Sequence, residues 1–337
     1  MAKKVSIVKW LIFLFLIIIG IISLYIYKIW TTKPNIQKYV FVYVYPEMNV
    51  SQLADTLVSK KIISNKMIFI LLAKELNLQQ LKAGKYRITS KMTLPSVIRM
   101  FKKGLDEKVT INIHGQIYYL DDLINAIDNK LMFSKSDLEK TLHQHPEIKD
   151  KEWMNVLFIK SYKVGWAIHP ENILDSILNY YDKVWNIHRR QLLQRTHLNQ
   201  KESMILASIV QNESYIYSEQ RKIAGVYLNR LKKQMPLQAD PTLKYIHHKM
   251  DAQRVYNSDK DNNSPYNTYK FKGLPPTTIG AVSIQALDAV LNFESHNYLY
   301  FCAKPELNGY SNYSETFQQH LKFARAYQQK INQLNIK

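Results

Sequence analysis

The sequence predicts an α+β protein. A single membrane-spanning helix comes first, then a small α+β module, then a larger domain that mixes helices and strands. Three observations carry this. Trp10 to Tyr27 contains no charged residue. Strand-prone runs rich in β-branched and aromatic residues, Val40 to Tyr45 and Val109 to Ile113, alternate with stretches whose apolar residues recur at helical spacing. From Glu202 to Asn212, apolar residues fall on most sides, as in a helix buried in a core.

Lys9 and Lys28 bracket the charge-free run, which is mostly Leu, Ile and Phe. About 20 apolar residues in a helix cross a bilayer, so residues 10–28 are expected to span a membrane. Lys3, Lys4 and Lys9 precede the span. The positive-inside rule then puts residues 1–9 in the cytoplasm and everything beyond about residue 30 outside it. Trp10, Tyr25, Tyr27 and Trp30 sit where interfacial aromatics belong. A cleaved signal peptide would need a small-x-small site, for which Ser23-Leu24-Tyr25 and Lys28-Ile29-Trp30 are poor candidates.

The net charge is +19, from 46 Lys+Arg against 27 Asp+Glu. Such a surface favours polyanions or anionic membranes, and an extracytoplasmic location argues against nucleic acid. The one cysteine, Cys302, cannot form an internal disulfide. Its apolar, strand-like surroundings point to a buried packing role. His247-His248 fits no metal motif, so neither metal nor cofactor is expected.

The elements follow in order. Residues 31–37 read as a short polar connector. Leu53, Ala54, Leu57 and Val58 predict a helix that Ser51 could cap, and Ser64 could cap a second one carrying Met67, Ile68, Ile70, Leu71 and Leu72. Ala83 to Ile88 reads as a turn into a strand, and Met92 to Phe101 as a helix stopped near Gly104. Helical patterns return at residues 175–184 and 185–193.

The chemistry is concentrated after residue 200. Glu213 falls at the end of the buried helix, where apolar flanks raise a carboxyl pKa and keep it protonated near neutrality. A protonated carboxyl is what donates a proton to a glycosidic oxygen. A second helix is expected from Ser218 as N-cap, through Ile223, Val226, Tyr227, Arg230 and Leu231. Leu237 to Thr242 should be extended or turned, because Pro241 disfavours helical geometry at Asp240. Ser264 to Tyr269 reads as a polar-aromatic extended piece. Sugar rings have apolar faces and hydroxyl rims. Gln238, Asp240, Asn229, Arg230, Tyr266, Asn267, Thr268 and Tyr269 are the candidate substrate-binding residues. The alternatives are a helix-surface or supporting role for Asn229 and Arg230, turn stabilisation by Gln238 and Asp240, and packing for the tyrosines. Ordinary glycosidases use two carboxylates, and Asp240 or Glu219 would be the partner on that reading. A basic surface protein that binds anionic lipid or wall polymers is a further alternative.

Asn229-Arg230-Leu231, Leu237-Gln238-Ala239-Asp240-Pro241-Thr242, Tyr266-Asn267-Thr268-Tyr269 and Gly273-Leu274-Pro275-Pro276 occur in this order after Glu213. The string resembles the endolytic murein transglycosylase family, called MltG or YceG-like, and the likeness extends over nearly the whole chain. It implies that Glu213 is the catalytic residue. It implies a lytic cut between N-acetylmuramic acid and N-acetylglucosamine of peptidoglycan glycan strands that leaves a 1,6-anhydro end. It also implies a LysM-like subdomain at residues 38–106, with its Ala83-Gly84-x-Tyr86 turn, a catalytic domain at 107–337, and peptidoglycan synthases as partners. The alternative on the same fold is a catalytically degenerate peptidoglycan-binding scaffold of the wall-synthesis machinery. Gly165, Pro170 and His320 match the family pattern. Val164, Gln211 and Ser311 depart from it: the first two stand where the family carries an acid, and Ser311 where members often carry His.

Overall fold

A computed structural model describes residues 2–148, 150–252 and 255–334. The order of elements is α1 (Ala2–Thr31), β1 (Tyr39–Val44), α2 (Val50–Ser59), α3 (Lys66–Glu75), β2 (Gly84–Thr89), α4 (Leu94–Lys103), β3 (Lys108–Ile113), α5 (Leu120–Ile127), α6 (Lys135–Gln144) and β4 (Lys160–Gly165). Then follow α7 (Pro170–Val184), α8 (Ile187–Leu193), α9 (Gln200–Glu213), α10 (Tyr217–Lys232), α11 (Asp240–Ile246), α12 (Ile284–Leu291), β5 (Tyr300–Ala303), β6 (Ser311–Ser314) and α13 (Phe317–Gln333). Helices dominate, and the strands pair as β1-β2, β3-β4 and β5-β6. The α+β class holds. The chain divides into two units, one of Met1–Val109, Lys130–Met132 and Lys163–Ile168, the other of Thr110–Asn129, Phe133–Tyr162 and His169–Lys337.

In the first unit, residues 9–28 of α1 are exposed. Lys9–Thr31 is the one helical stretch among the described residues long and apolar enough to cross a membrane. The expected connector is more ordered than its polarity suggests. The helix runs through Thr31, Ile29 packs on the unit's core, Leu94 N–H donates to the Thr32 carbonyl at 2.9 Å, and Asn35 N–H donates to that of Ile62 at 2.8 Å. β1 and β2 pair antiparallel, Val42 opposite Tyr86 and Val40 opposite Ile88. Val42, Val44, Tyr86 and Ile88 share a core with Leu53 and Leu57 of α2 and Ile98 and Phe101 of α4. Two expected caps move by one or two residues. Asn49, not Ser51, starts α2, exchanging hydrogen bonds with Gln52, and Asn65, not Ser64, accepts from Met67 N and Ile68 N. Each asparagine precedes the first helical residue and so faces the unsatisfied N–H groups. Gly104, at φ +68°, ends α4 in the left-handed region that favours glycine.

The second unit is built around α9. Ser203 through Val210 are all buried, and α10, α11 and α12 pack around them. Phe158, Trp185, Leu206, Ile209, Tyr227, Leu287 and Leu291 belong to that core. α10 begins at Tyr217 without a side-chain cap; Ser218 lies inside its first turn, exposed, while Glu219 and Gln220 beside it are buried. The Glu294 carbonyl and the His296 ring close on α10 at Gly225, where a Cβ would come within 2.5 Å of the first and 2.7 Å of the second. Residues 240–246 form a helix rather than an extended piece. Pro241 lies in the first turn, where a missing N–H breaks no intrahelical bond, and the Thr242 hydroxyl donates back to the Ala239 carbonyl. Residues 264–269 are turns, closed by Asn267 N–H to the Ser264 carbonyl. Cys302 is half-buried in β5, not fully packed away, and burial pushes its thiol pKa up.

Candidate active site

Glu213 is the last residue of α9. Its Oε1 accepts a hydrogen bond from the Tyr227 hydroxyl at 2.6 Å. Tyr227 lies on α10, the next helix, with its ring in the core. The Glu213 side chain keeps a partly open face, while its carboxyl is closely surrounded by protein. Burial is the main force on the carboxyl and carries its pKa to about 7. The Tyr227 hydrogen bond opposes that rise, Asp240 adds to it, and Lys244 and Arg230 pull against it. Near neutral pH the group therefore divides between acid and carboxylate. Tyr227, driven well above its ordinary pKa by burial, stays a donor.

Arg230 lies one turn beyond Tyr227 and is also buried. Its Nε donates to the Leu299 carbonyl at 2.7 Å and its Nη1 to that of Leu237 at 2.6 Å, with Gln238 Oε1 at 3.4 Å. It thus joins the start of β5 to the segment that enters α11. Gln238 is exposed and adopts φ +50°, uncommon for a residue with a Cβ. Its N–H donates to the Thr268 carbonyl at 2.9 Å, and the Thr268 hydroxyl accepts from Ala239 N–H at 3.0 Å and meets the Thr242 hydroxyl at 2.9 Å. These bonds hold Asp240 in place, and its exposed carboxylate accepts from the Tyr269 hydroxyl at 2.5 Å.

The expected binding residues fall into three groups. Asp240, Tyr269 and Arg230 lie within electrostatic range of Glu213, and Gln238 borders Arg230. Asn229, Asn267 and Thr268 serve the scaffold. The Asn229 amide donates to the carbonyls of His296 and Tyr298, and fully buried Asn267 donates to those of Lys260 and Asn262. Tyr266 faces elsewhere. Its hydroxyl meets Thr277 at 2.7 Å, and its ring lies 4.9 Å from Tyr245 in a cleft of about 1120 Å³ that Tyr119, His248 and Asp121 also line. α11 serves both regions, with Asp240 and Lys244 acting on Glu213 and Tyr245 and Ile246 lining the cleft.

The model of the YceG-like family matches residues 42–326. The chain belongs to the YceG-like family. It is similar to the endolytic murein transglycosylase of Bacillus subtilis strain 168, 27% identical over 298 residues that cover 83% of this chain and 82% of the relative. It is also similar to that of Streptococcus pneumoniae R6, 27% identical over 338 residues, covering 89% of this chain and 61% of the relative. The present chain thus spans about three fifths of the pneumococcal protein. A crystal structure of a yceG-like protein from Listeria monocytogenes aligns with a TM-score of 0.53 and 27% identity, over 85% of this chain and 99% of that one.

Where this YceG-like chain departs from the expected family pattern, Gln211 is held by its side chain, Ser311 is bonded through its backbone and Val164 is buried. Gln211 uses both ends of its amide: Nε2 donates to the Ala281 carbonyl at 3.0 Å and Oε1 accepts from Ser283 N–H at 2.8 Å. Ser311 N–H and the Tyr313 hydroxyl both donate to the buried carboxylate of Glu219, at 2.7 and 2.9 Å. Val164 is buried in β4. Sequence reading placed Tyr227 only in an apolar stripe and passed over Lys244. A buried tyrosine needs a partner for its hydroxyl. That rule, applied to the helix that follows Glu213, was the available signal.

Proposed function

We propose that this chain is a membrane-anchored murein lytic transglycosylase whose acid and base are both Glu213. The observation that carries the reading is a single carboxyl, pKa about 7, held by Tyr227 at the end of a buried helix. Glu213 donates its proton to the oxygen bridging N-acetylmuramic acid to N-acetylglucosamine, and the bond from C1 to that oxygen breaks. Positive charge spreads over C1 and the ring oxygen. The Glu213 carboxylate then takes the proton of the muramic acid 6-hydroxyl, and O6 closes on C1 to give the 1,6-anhydro end. A pKa near the working pH suits a group that gives and takes one proton in a cycle. Glu219 makes a poor second carboxylate, because it is buried and accepts from Ser311 N–H and the Tyr313 hydroxyl; Asp240 accepts from the Tyr269 hydroxyl and is assigned to sugar contact, with reducing ends as the product that would reassign it. In this reading Asp240, Tyr269 and Gln238 meet the sugar directly, while Arg230, Asn229, Asn267 and Thr268 hold them in place. Lys9–Thr31 anchors the protein in the cytoplasmic membrane with its globular part outside. Residues 38–106 act as a LysM-like module ahead of a catalytic region from 107, working beside peptidoglycan synthases on new strands.

Mass spectrometry of glycan strands incubated with the full chain tests this. Anhydro-muramic ends from wild type and none from folded Glu213→Gln are expected. Reducing ends would indicate hydrolysis. No product from folded wild type would overturn the enzymatic reading in favour of a binding scaffold.

A further inference from the structure

Tyr215 is 91% exposed, two residues past Glu213. A single exposed aromatic is ordinary; a fixed backbone beneath one is less so. The Ser214 carbonyl accepts from the buried Gln220 amide at 2.7 Å, and the Tyr215 carbonyl from the Gln285 amide at 3.2 Å. Those two glutamines are bonded to each other at 3.2 Å, and Ile216 N–H donates to the Ser214 hydroxyl at 3.2 Å. α10 and α12 thereby clamp both peptide groups and leave the ring in solvent.

A second phenol stands near it. Tyr118 is half-buried, and its hydroxyl pKa is raised by burial, then by Asp251, Tyr215 and Asp122, so each of these three lies within electrostatic range of the Tyr118 hydroxyl. α9 fixes its position indirectly. Gln211 holds the backbone at Ala281 and Ser283, and Ala281 N–H donates to the Ile117 carbonyl at 2.8 Å. The Tyr118 ring rests on Gly280, at φ +155°, where a Cβ would come within 3.0 Å of it. Asp251, in range of the Tyr118 hydroxyl, is exposed, and its carboxylate can accept from sugar hydroxyls.

Resting on the glycan-strand reading above, we propose that Tyr215 and Tyr118 form a saccharide subsite flanking Glu213. One pyranose ring lays its apolar face on the Tyr215 ring and directs hydroxyls toward Asp251 and the Tyr118 phenol. Tyrosine presents a large, rigid, amphipathic surface with little rotamer entropy to lose, and the clamped backbone lowers the ordering cost further. Tyr215 positions substrate and takes no part in proton transfer.

The test compares the full chain with Tyr215→Ala and Tyr215→Phe, reading binding of reduced murein strands and, separately, KM and kcat for anhydro-end formation. Loss of the ring should weaken binding and raise KM about three- to tenfold with kcat little changed. Tyr215→Phe, which keeps the ring face, should bind within about twofold of wild type. Melting temperatures should agree, because the ring is in solvent. Equal binding by wild type and Tyr215→Ala would overturn the subsite, whether or not strands are cut. Weaker binding by Tyr215→Ala, with no cutting by any form, would leave the subsite standing and remove the lytic reading. Equal loss in Ala and Phe variants would also overturn it, since the hydroxyl rather than the ring would then be responsible.

Discussion

The Tyr227 hydroxyl donates to Glu213 Oε1 across 2.6 Å, and this bond opposes the burial that makes Glu213 a competent acid. It favours the carboxylate, so it sets how far the pKa can climb. Tyr227→Phe removes the donor and leaves the ring in its place. The Glu213 pKa should rise. Activity that depends on protonated Glu213 falls as pH passes that pKa, so the alkaline limb of the kcat profile should move to higher pH. A profile that stays in place would mean that the bond does not govern the acid.

Glu213 should also destabilise the fold at alkaline pH. Its folded pKa, about 7, lies above the ordinary value of 4.5. Below 4.5 both states hold the proton and there is no penalty. Between 4.5 and 7 the unfolded chain releases its proton first, so stability falls as pH rises, and above 7 the whole penalty remains. At about 1.4 kcal/mol per unit, reduced for the partly open face, Glu213→Gln should gain roughly 2–3 kcal/mol at pH 8 and almost nothing at pH 4. Denaturant unfolding at both pH values measures it. Equal stabilities at pH 8 would show the carboxyl to be well solvated.

Glu213 stood out because a helix apolar on most sides ends in an acid and the motifs that follow it resemble a known family; by itself the local pattern reads as an ordinary solvated helix end. β1, β2, β3 and the end of α4 were legible from local pattern, since β-branched runs and a glycine after the last helical turn are local signals. The misses depend on where a boundary falls or on what approaches from elsewhere. Pro241 was read as barring helix at Asp240, but in the first turn its missing N–H breaks no bond. Asn267 and Thr268 have the chemistry of sugar ligands, and only the tertiary path of residues 237–239 and 260–262 turns them inward. Gln211 read as a side chain that keeps hydrogen bonding but loses charge, and its partners stayed hidden because the carbonyl and N–H it bridges lie 70 residues away or more.

That bridge leads to the last prediction. Gln211 meets a carbonyl oxygen with one end of its amide and an N–H with the other. A carboxylate of the same length can satisfy only the N–H, and its second oxygen would face the Ala281 carbonyl. Gln211→Glu should therefore cost about 1–3 kcal/mol at pH 7.5, the usual result of leaving a partly buried polar group without its partner. The carbonyl raises the pKa of the new carboxyl, so the loss should be present above that pKa and fade as pH falls through it, when the protonated acid donates again. Because residues 281–283 also hold Ile117 and Tyr118, strand binding should weaken together with stability. Unfolding curves at pH 7.5 and pH 4 decide the matter. Undiminished stability at pH 7.5 would mean that the Ala281 carbonyl finds another donor, and that Gln211 does not hold this segment to α9.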